Sequence, residues 1–175
     1  MSPSRHDSGP AVKCINWDVI KSRDDRLVIR EASLADAPAI ARLMTQLGYP
    51  ATGNEICDRL GYWLPDPMSV ILVAEADGRV IGSLSLHAIP YLERSGRWAR
   101  IESLVVDESA RGTGTGRALI AAAEQAAQDW DCLTVEVTSS RTRPGAHAFY
   151  RHMGYSDICD QSGRFIKPLA AAANP

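Results

Sequence analysis

The apolar positions of this chain alternate between two periods, and the switches mark out its elements. Leu27 to Arg30 form a short alternating run that predicts a first strand. After it, Ala37, Ile40, Ala41, Leu43 and Met44 recur at helical spacing. Ser33 stands ahead of them as a cap, with Asp36 three positions on in a capping-box arrangement, so a helix is predicted to Leu47. A second helix is predicted from Gly53 to Trp63, stopping before Pro65. The run SVILVAEA at 69–76 reads as a strand, Asp77-Gly78 as a tight turn, and Val80 to His87 as the antiparallel return. Trp98 to Val106 predict a central strand and Thr115 to Trp130 a helix. CLTVEVT at 132–138 predicts a strand parallel to the central one, since a helix separates them. A helix over 145–153 follows, and short strands near Tyr155–Ile158 and Arg164–Lys167 are expected to close the fold. Residues 1–25 are mostly polar, with Pro3, Gly9 and Pro10, and are expected to be a flexible leader to one domain over 26–170, with a tail over 171–175.

The richest stretch for chemistry is LVVDESARGTGTGRALI at 104–120, a strand running into a glycine turn that opens a helix. Gly112, Gly114 and Gly116 let the backbone come close to a ligand, because no Cβ stands in the way. The helix start adds unpaired N–H groups and the positive end of its dipole, an arrangement that holds phosphate. Arg111 adds a charge suited to phosphate oxygens. A P-loop is excluded, because Gly116 is followed by Arg117 and Ala118 where lysine and a hydroxyl residue belong. A dinucleotide fingerprint is excluded as well, because Arg117 or Leu119 stands where its third glycine is needed.

What remains, Arg111-x-x-Gly114-x-Gly116, resembles the pyrophosphate loop of the GNAT superfamily of acyl-CoA-dependent N-acyltransferases. GAHAFYRHMGY at 145–155 resembles that superfamily's fourth helix and its ending, and AEADGRVIGSLSL at 74–86 its second hairpin. The resemblance covers roughly residues 27–169 with the motifs in family order. It implies an α/β (α+β) fold: a mixed, mostly antiparallel sheet of six to seven strands, splayed between strands 4 and 5 and flanked by about four helices. It implies acetyl-CoA as cosubstrate, no metal, and N-acetyl transfer to a primary amine of a small molecule by direct attack in a ternary complex. Within the superfamily the chain resembles the small-molecule, aminoalkylphosphonate-like branch. Transfer to a protein N-terminus or lysine, or acyl-CoA binding without turnover, are the alternatives.

The resemblance also implies roles. Tyr150 falls where the family places a tyrosine near the CoA sulfur, and its phenol, with an ordinary pKa near 10, is a proton donor at neutral pH. Backbone groups of Leu104, Val105 and Val106, beside a bulge in the central strand, are implied to hold the oxyanion and the pantetheine arm. Arg111, Gly112, Thr113, Gly114, Thr115, Gly116 and Arg117 would hold the pyrophosphate, and Phe149 would line the cofactor. The chain departs from the pattern after its fifth strand, where a frequent asparagine is missing and Ser140 or Arg143 is the expected substitute. The acceptor's ammonium, with a pKa near 10.4, is neutral in about one molecule per thousand at neutral pH, so a base is useful. Glu102 is the first candidate, on the central strand, with a half-exposed carboxylate or a salt bridge to Arg100 as the alternative reading; Glu75 and Glu136 rank below it, and His87 and His147 are secondary.

Composition changes this picture little. The chain has 175 residues, 45% of them hydrophobic, enough for one full core. A net charge of −2 provides no electrostatic reason to expect nucleic acid or an anionic membrane. The beginning, MSPSRHDSGP, has no apolar core of the kind a signal peptide needs. Cys14, Cys57, Cys132 and Cys159 are scattered without metal spacing, which predicts reduced thiols in a cytoplasmic protein. A homodimer is an expectation from the resemblance alone.

Overall fold

The computed structural model describes residues 26–168. Two compact units follow one another along the chain, the first ending at Thr138 and the second starting at Ser139. The predicted leader at 1–25, with Cys14, and the tail at 171–175 lie outside the described residues.

The first unit is a five-stranded mixed sheet in the order β1-β2-β3-β4-β5, with β1 at Leu27–Glu31, β2 at Ser69–Ala76, β3 at Arg79–Pro90, β4 at Arg97–Val106 and β5 at Cys132–Val137. The first three pairings are antiparallel and β4–β5 is parallel. Asp77 and Gly78 turn the β2–β3 hairpin with φ of 49° and 72°, the two left-handed residues a tight two-residue turn requires.

Helices α1 (Ala37–Leu47) and α2 (Gly53–Trp63) pack on one face of the sheet. Ile40, Leu43, Ile56 and Leu60 close there over Ile71, Val73, Val80 and Val105 in one buried cluster. The start of α1 differs from the prediction: Leu34–Asp36 form a separate 3-10 turn. Pro38 has no N–H to offer the Leu34 carbonyl, which accepts from Ala37 instead. The capping interactions survive, since the Asp36 carboxylate accepts from Ser33 N–H at 2.7 Å and from its hydroxyl at 3.0 Å.

Helix α3 (Thr115–Asp129) covers the opposite face, where Leu72, Leu84, Leu86, Ile101, Leu119 and Ile120 are fully buried. Its first turn presses on β3 at Gly82. A Cβ there would sit 3.0 Å from a Leu119 methyl, 3.2 Å from the Val105 carbonyl oxygen and 3.3 Å from the Thr115 methyl, so any side chain would force these neighbours to give by a few tenths of an ångström.

The second unit holds α4 (Pro144–His152) and the segment after it. The expected closing strands at 155–158 and 164–167 do not form, and among the described residues the sheet has five strands where six to seven were expected. The reason is local: Asp157 accepts from Cys159 N–H, and the Ile158 carbonyl accepts from Gln161 and Ser162, so these groups close a turn. Ile158, Phe165 and Ile166 are exposed and supply no buried face for a strand.

Candidate functional site

Strands β4 and β5 part company halfway along β4. Their ladder runs from Arg97↔Cys132 to Ile101↔Val137 and stops, because β5 ends there. Residues 102–106 continue alone, paired only with β3 on their other side. This is the expected splay, and it leaves one edge of Leu104, Val105 and Val106 without a β5 partner. The ladder to β3 also slips here: Ser85 pairs with Ser103 but Leu86 with Ile101, so Glu102 is the extra residue of a bulge. The bulge thus falls two residues upstream of the segment where the sequence reading put it.

Beyond Val106 the chain is braced before it reaches the glycines. Asp107 accepts from the Ser109 N–H and hydroxyl, which hold its carboxyl below the usual range. Gln46 of α1 donates to Asp107 at 3.2 Å and accepts from Glu108 N–H at 3.0 Å. Gly112 and Gly114 then take left-handed φ of 82° and 92°, and Gly114 caps α3 with no side-chain hydrogen bond. The first helical bond is Ala118 N–H to Gly114 carbonyl, so helix geometry gives the N–H groups of Thr115 and Gly116 no acceptor four residues back. The Thr115 side chain is buried, its hydroxyl 2.9 Å from that of Thr113. Thr113 in turn donates to the Ala110 carbonyl at 2.7 Å. Arg111 folds back, its Nε 3.3 Å from the Val106 carbonyl and its tip 3.6 Å from Glu108. The segment presents backbone N–H groups at the start of a helix, an arrangement whose chemistry suits an anion.

The α1/α2 face of the sheet turns polar toward the split. Ser69, His87, Arg100 and Glu136 are cross-strand neighbours from β2 to β5 and share that face. Ser83 and Ser85 are buried polar residues on the same face, and the Ser85 and Ser103 hydroxyls are 2.7 Å apart. Arg100 gathers Glu102 at 2.7 Å, Glu136, and the Thr138 hydroxyl at 3.1 Å. Glu102 stands half-exposed where β4 leaves β5, in an ion pair with Arg100. Glu75 is committed elsewhere, to Arg30 at 2.8 Å.

In the second unit, Ser140 and Arg143 lie at the start of α4. The Ser140 hydroxyl is 2.8 Å from that of Thr142, and its carbonyl lies 2.9 Å from His147 Nε2, which makes His147 a local brace. Tyr150 packs edge-on between Phe149 at 5.4 Å and Tyr155 at 5.8 Å. Burial pushes its phenol above the ordinary value, partly offset by the Arg143 charge, which keeps it protonated and a donor. Burial likewise raises the Cys132 thiol, which disfavours a thiolate nucleophile there. Among the described residues Cys57, Cys132 and Cys159 are free thiols and no His/Cys/Asp/Glu group is placed to hold a metal ion. No helix among them is long and apolar enough to cross a membrane.

Sequence reading missed the polar row across the sheet. Its signal was present in GSLSLH, where Ser83, Ser85 and His87 alternate with leucines and so must share the face opposite to them.

Comparison with known proteins agrees with this anatomy. Residues 40–155 match the acetyltransferase (GNAT) family. An aminoalkylphosphonate N-acetyltransferase of Salmonella typhimurium is 34% identical over 86% of this chain and 99% of its own length. An aminoglycoside N(6')-acetyltransferase of Klebsiella aerogenes is 30% identical over 66% of this chain and 77% of its own. The solved structure of a Trypanosoma brucei acetyltransferase superposes with a TM-score of 0.68 at 26% identity, covering 82% of this chain and 99% of that one. A matched stretch that takes in the glycine turn, the split sheet and Tyr150 makes this chain a member of the GNAT acetyltransferase family.

Proposed function

We propose that the protein transfers an acetyl group from acetyl-CoA to the primary amine of a small molecule, by direct attack in a ternary complex. One observation carries the reading: β4 leaves its ladder with β5 at Ile101 and runs on, half-paired, into an α3 N-terminus that no side chain caps. A strand edge offers main-chain groups to the amide-bearing pantetheine arm, and uncapped backbone donors suit a pyrophosphate. Membership of an acetyltransferase family supports the same cosubstrate.

The residues divide the work. Backbone groups of Leu104, Val105 and Val106 pair with the arm and polarise the thioester carbonyl. The turn from Arg111 to Arg117 takes the pyrophosphate, for which Arg111 must leave the Val106 carbonyl it now contacts. Ser140, Arg143 and Phe149 are assigned to the cofactor by the same family resemblance. Tyr150 hands its proton to the departing thiolate, and burial keeps that proton in place until then. Glu102, at the bulge, is the carboxylate that meets the acceptor's ammonium. The small-molecule acceptor is favoured by two relatives whose names specify aminoalkylphosphonate and aminoglycoside acetylation.

Isothermal titration with acetyl-CoA, with NAD and ATP as controls, tests the cofactor first. Micromolar binding of acetyl-CoA alone is expected, followed by thiol release with a panel of small amines. Turnover only with peptides would move the acceptor to a protein; binding without any turnover would leave an acyl-CoA-binding module.

A further inference from the structure

On the polar face of the sheet, three side chains stand in a line that the roles above leave unused. Asp66, between α2 and β2, accepts from Met68 N–H at 3.0 Å and from the Ser69 hydroxyl at 2.7 Å. Ser69 Oγ lies 2.6 Å from His87 Nδ1, and Asp66 Oδ2 is 3.5 Å from the same nitrogen. Trp63 packs edge-on against the imidazole, with ring centres 6.3 Å apart.

Counting hydrogens assigns the tautomer. Asp66 is an acceptor only, since the Ser69 hydroxyl and then Met68 N–H hold its carboxyl below the usual range. Ser69 has one O–H, and it goes to Asp66. Its oxygen is therefore the acceptor toward His87, so Nδ1 must carry a hydrogen. In the neutral ring that leaves a lone pair on Nε2. Among the described residues Nε2 has no hydrogen-bond partner, and the side chain is 36% exposed. The ring sits on β3 directly beside Arg100 of β4. The charges facing it are Asp66 from the turn and Arg100 from β4, with Glu102 and Glu136 held behind Arg100; α2 contributes the uncharged Trp63.

We propose that Asp66, Ser69 and His87 form a relay in which His87 Nε2 takes the proton from the acceptor's ammonium. The proposal rests on the acetyltransferase reading above. Glu102 is the weaker choice for this step because its Oε1 already accepts from Arg100. The R–NH3+ nitrogen gives one proton to Nε2 and becomes a neutral amine. Its lone pair forms the C–N bond to the thioester carbon, and the C–S bond then breaks. The ammonium nitrogen of the tetrahedral adduct loses a second proton to solvent, solvent returns one to the Tyr150 phenol that has protonated the thiolate, and His87 gives its own to solvent. Throughout, Nδ1–H donates to Ser69 and Ser69 to ionised Asp66, so the imidazolium is stabilised without protonating Asp66. Asp66 and Ser69 are positioning residues.

Two measurements on the full chain test this. Long-range nitrogen–proton NMR of the labelled protein reads the tautomer without any turnover. His87 is expected as the Nδ1–H form, shifting toward the Nε2–H form in Ser69→Ala and restored in Ser69→Thr. An Nε2–H ring in the unmodified protein would overturn the relay. The second is the pH dependence of kcat/KM for acetyl transfer to 2-aminoethylphosphonate and glucosamine 6-phosphate. His87→Asn keeps a donor toward Ser69 but has no Nε2; it is expected to lose about 10²-fold in kcat and the rising limb, with the KM for acetyl-CoA unchanged. Ser69→Ala is expected to lose about tenfold, with the limb displaced, and Ser69→Thr to recover. A limb kept in His87→Asn but lost in Glu102→Gln would assign the proton to Glu102 and sink the proposal. Acetyl-CoA binding with the Nδ1–H tautomer but no transfer to either amine would refute the base role and leave the relay a structural feature. Failure to bind acetyl-CoA at all would instead bring down the underlying reading.

Discussion

Arg100 and Glu102 form an ion pair at 2.7 Å even though the β4 bulge lies between their neighbours. The same guanidinium also reaches Glu136 of β5 and Thr138 just past its end, so one side chain laces the two strands at the rungs where they begin to part. Lysine has no planar fork to serve three acceptors at once. Arg100→Gln is therefore expected to fray the end of β5. Amide exchange at 135–138 should speed up about tenfold, equivalent to about 1.4 kcal/mol of local opening, with β2 and β3 unaffected. Uniform acceleration across the sheet would mean that the residue supports global stability and not the split.

The glycine turn invites a different substitution. Gly114 has φ of 92°, and a Cβ on it would meet nothing within 4 Å. A methyl group there costs backbone strain of about 1–2 kcal/mol and fills the space in front of the α3 N-terminus. Gly114→Ala is expected to weaken acetyl-CoA binding at least about tenfold by titration calorimetry, with the fold intact by circular dichroism. Undiminished affinity in a folded variant would move the pyrophosphate away from this turn.

Much of this architecture was readable from periodicity. The 69–87 hairpin was legible because a two-residue turn of Asp77 and Gly78 sits between alternating runs, and α3 because its glycine start and apolar spacing agree. The strands expected after α4 were not, because Tyr155, Ile158, Phe165 and Ile166 have apolar side chains but their backbone groups are taken up by a local turn or lie on an exposed segment. The bulge at Glu102 was invisible as well: register depends on two strands at once, and the β4 sequence alone does not contain it. The Asp66–Ser69–His87 line joins residues 18 and 21 positions apart, so only the β2–β3 register could reveal it. Glu102 was legible as a residue at the site but not as a partner of Arg100, which the sequence reading held only as an alternative.

The buried cap of the first helix carries a pH signature. Asp36 is held by Arg30 through two 2.8 Å hydrogen bonds, and its carboxyl falls from 3.8 to about 2, chiefly through that guanidinium. A depressed carboxyl stabilises the folded state above its unfolded value, and the contribution is lost as pH falls from about 4 toward 2. The size is about 2 kcal/mol, lessened by the partial exposure of Arg30. Thermal unfolding of Asp36→Asn should therefore show a lower Tm than the parent at pH 7, with the gap closing toward pH 2. A gap that persists unchanged at pH 2 would mean that the loss comes from the Ser33 cap and not from the charge.

Tyr150 offers the sharpest separation of chemistry from structure. Its ring packs against Phe149 at 5.4 Å and Tyr155 at 5.8 Å, contacts that phenylalanine preserves. Tyr150→Phe thus removes an oxygen and little else. If the phenol protonates the departing thiolate, kcat should drop about 10²-fold or more while the KM for acetyl-CoA stays put, because the interaction is made only as the C–S bond breaks. Since burial raises the phenol above its ordinary value near 10, the unmodified enzyme should show no falling limb from Tyr150 below that pH. Single-turnover thiol release across pH 6 to 10 reads both effects. An unchanged rate in the variant would assign the thiolate's proton to solvent, and Tyr150 would then be only a packing residue of α4.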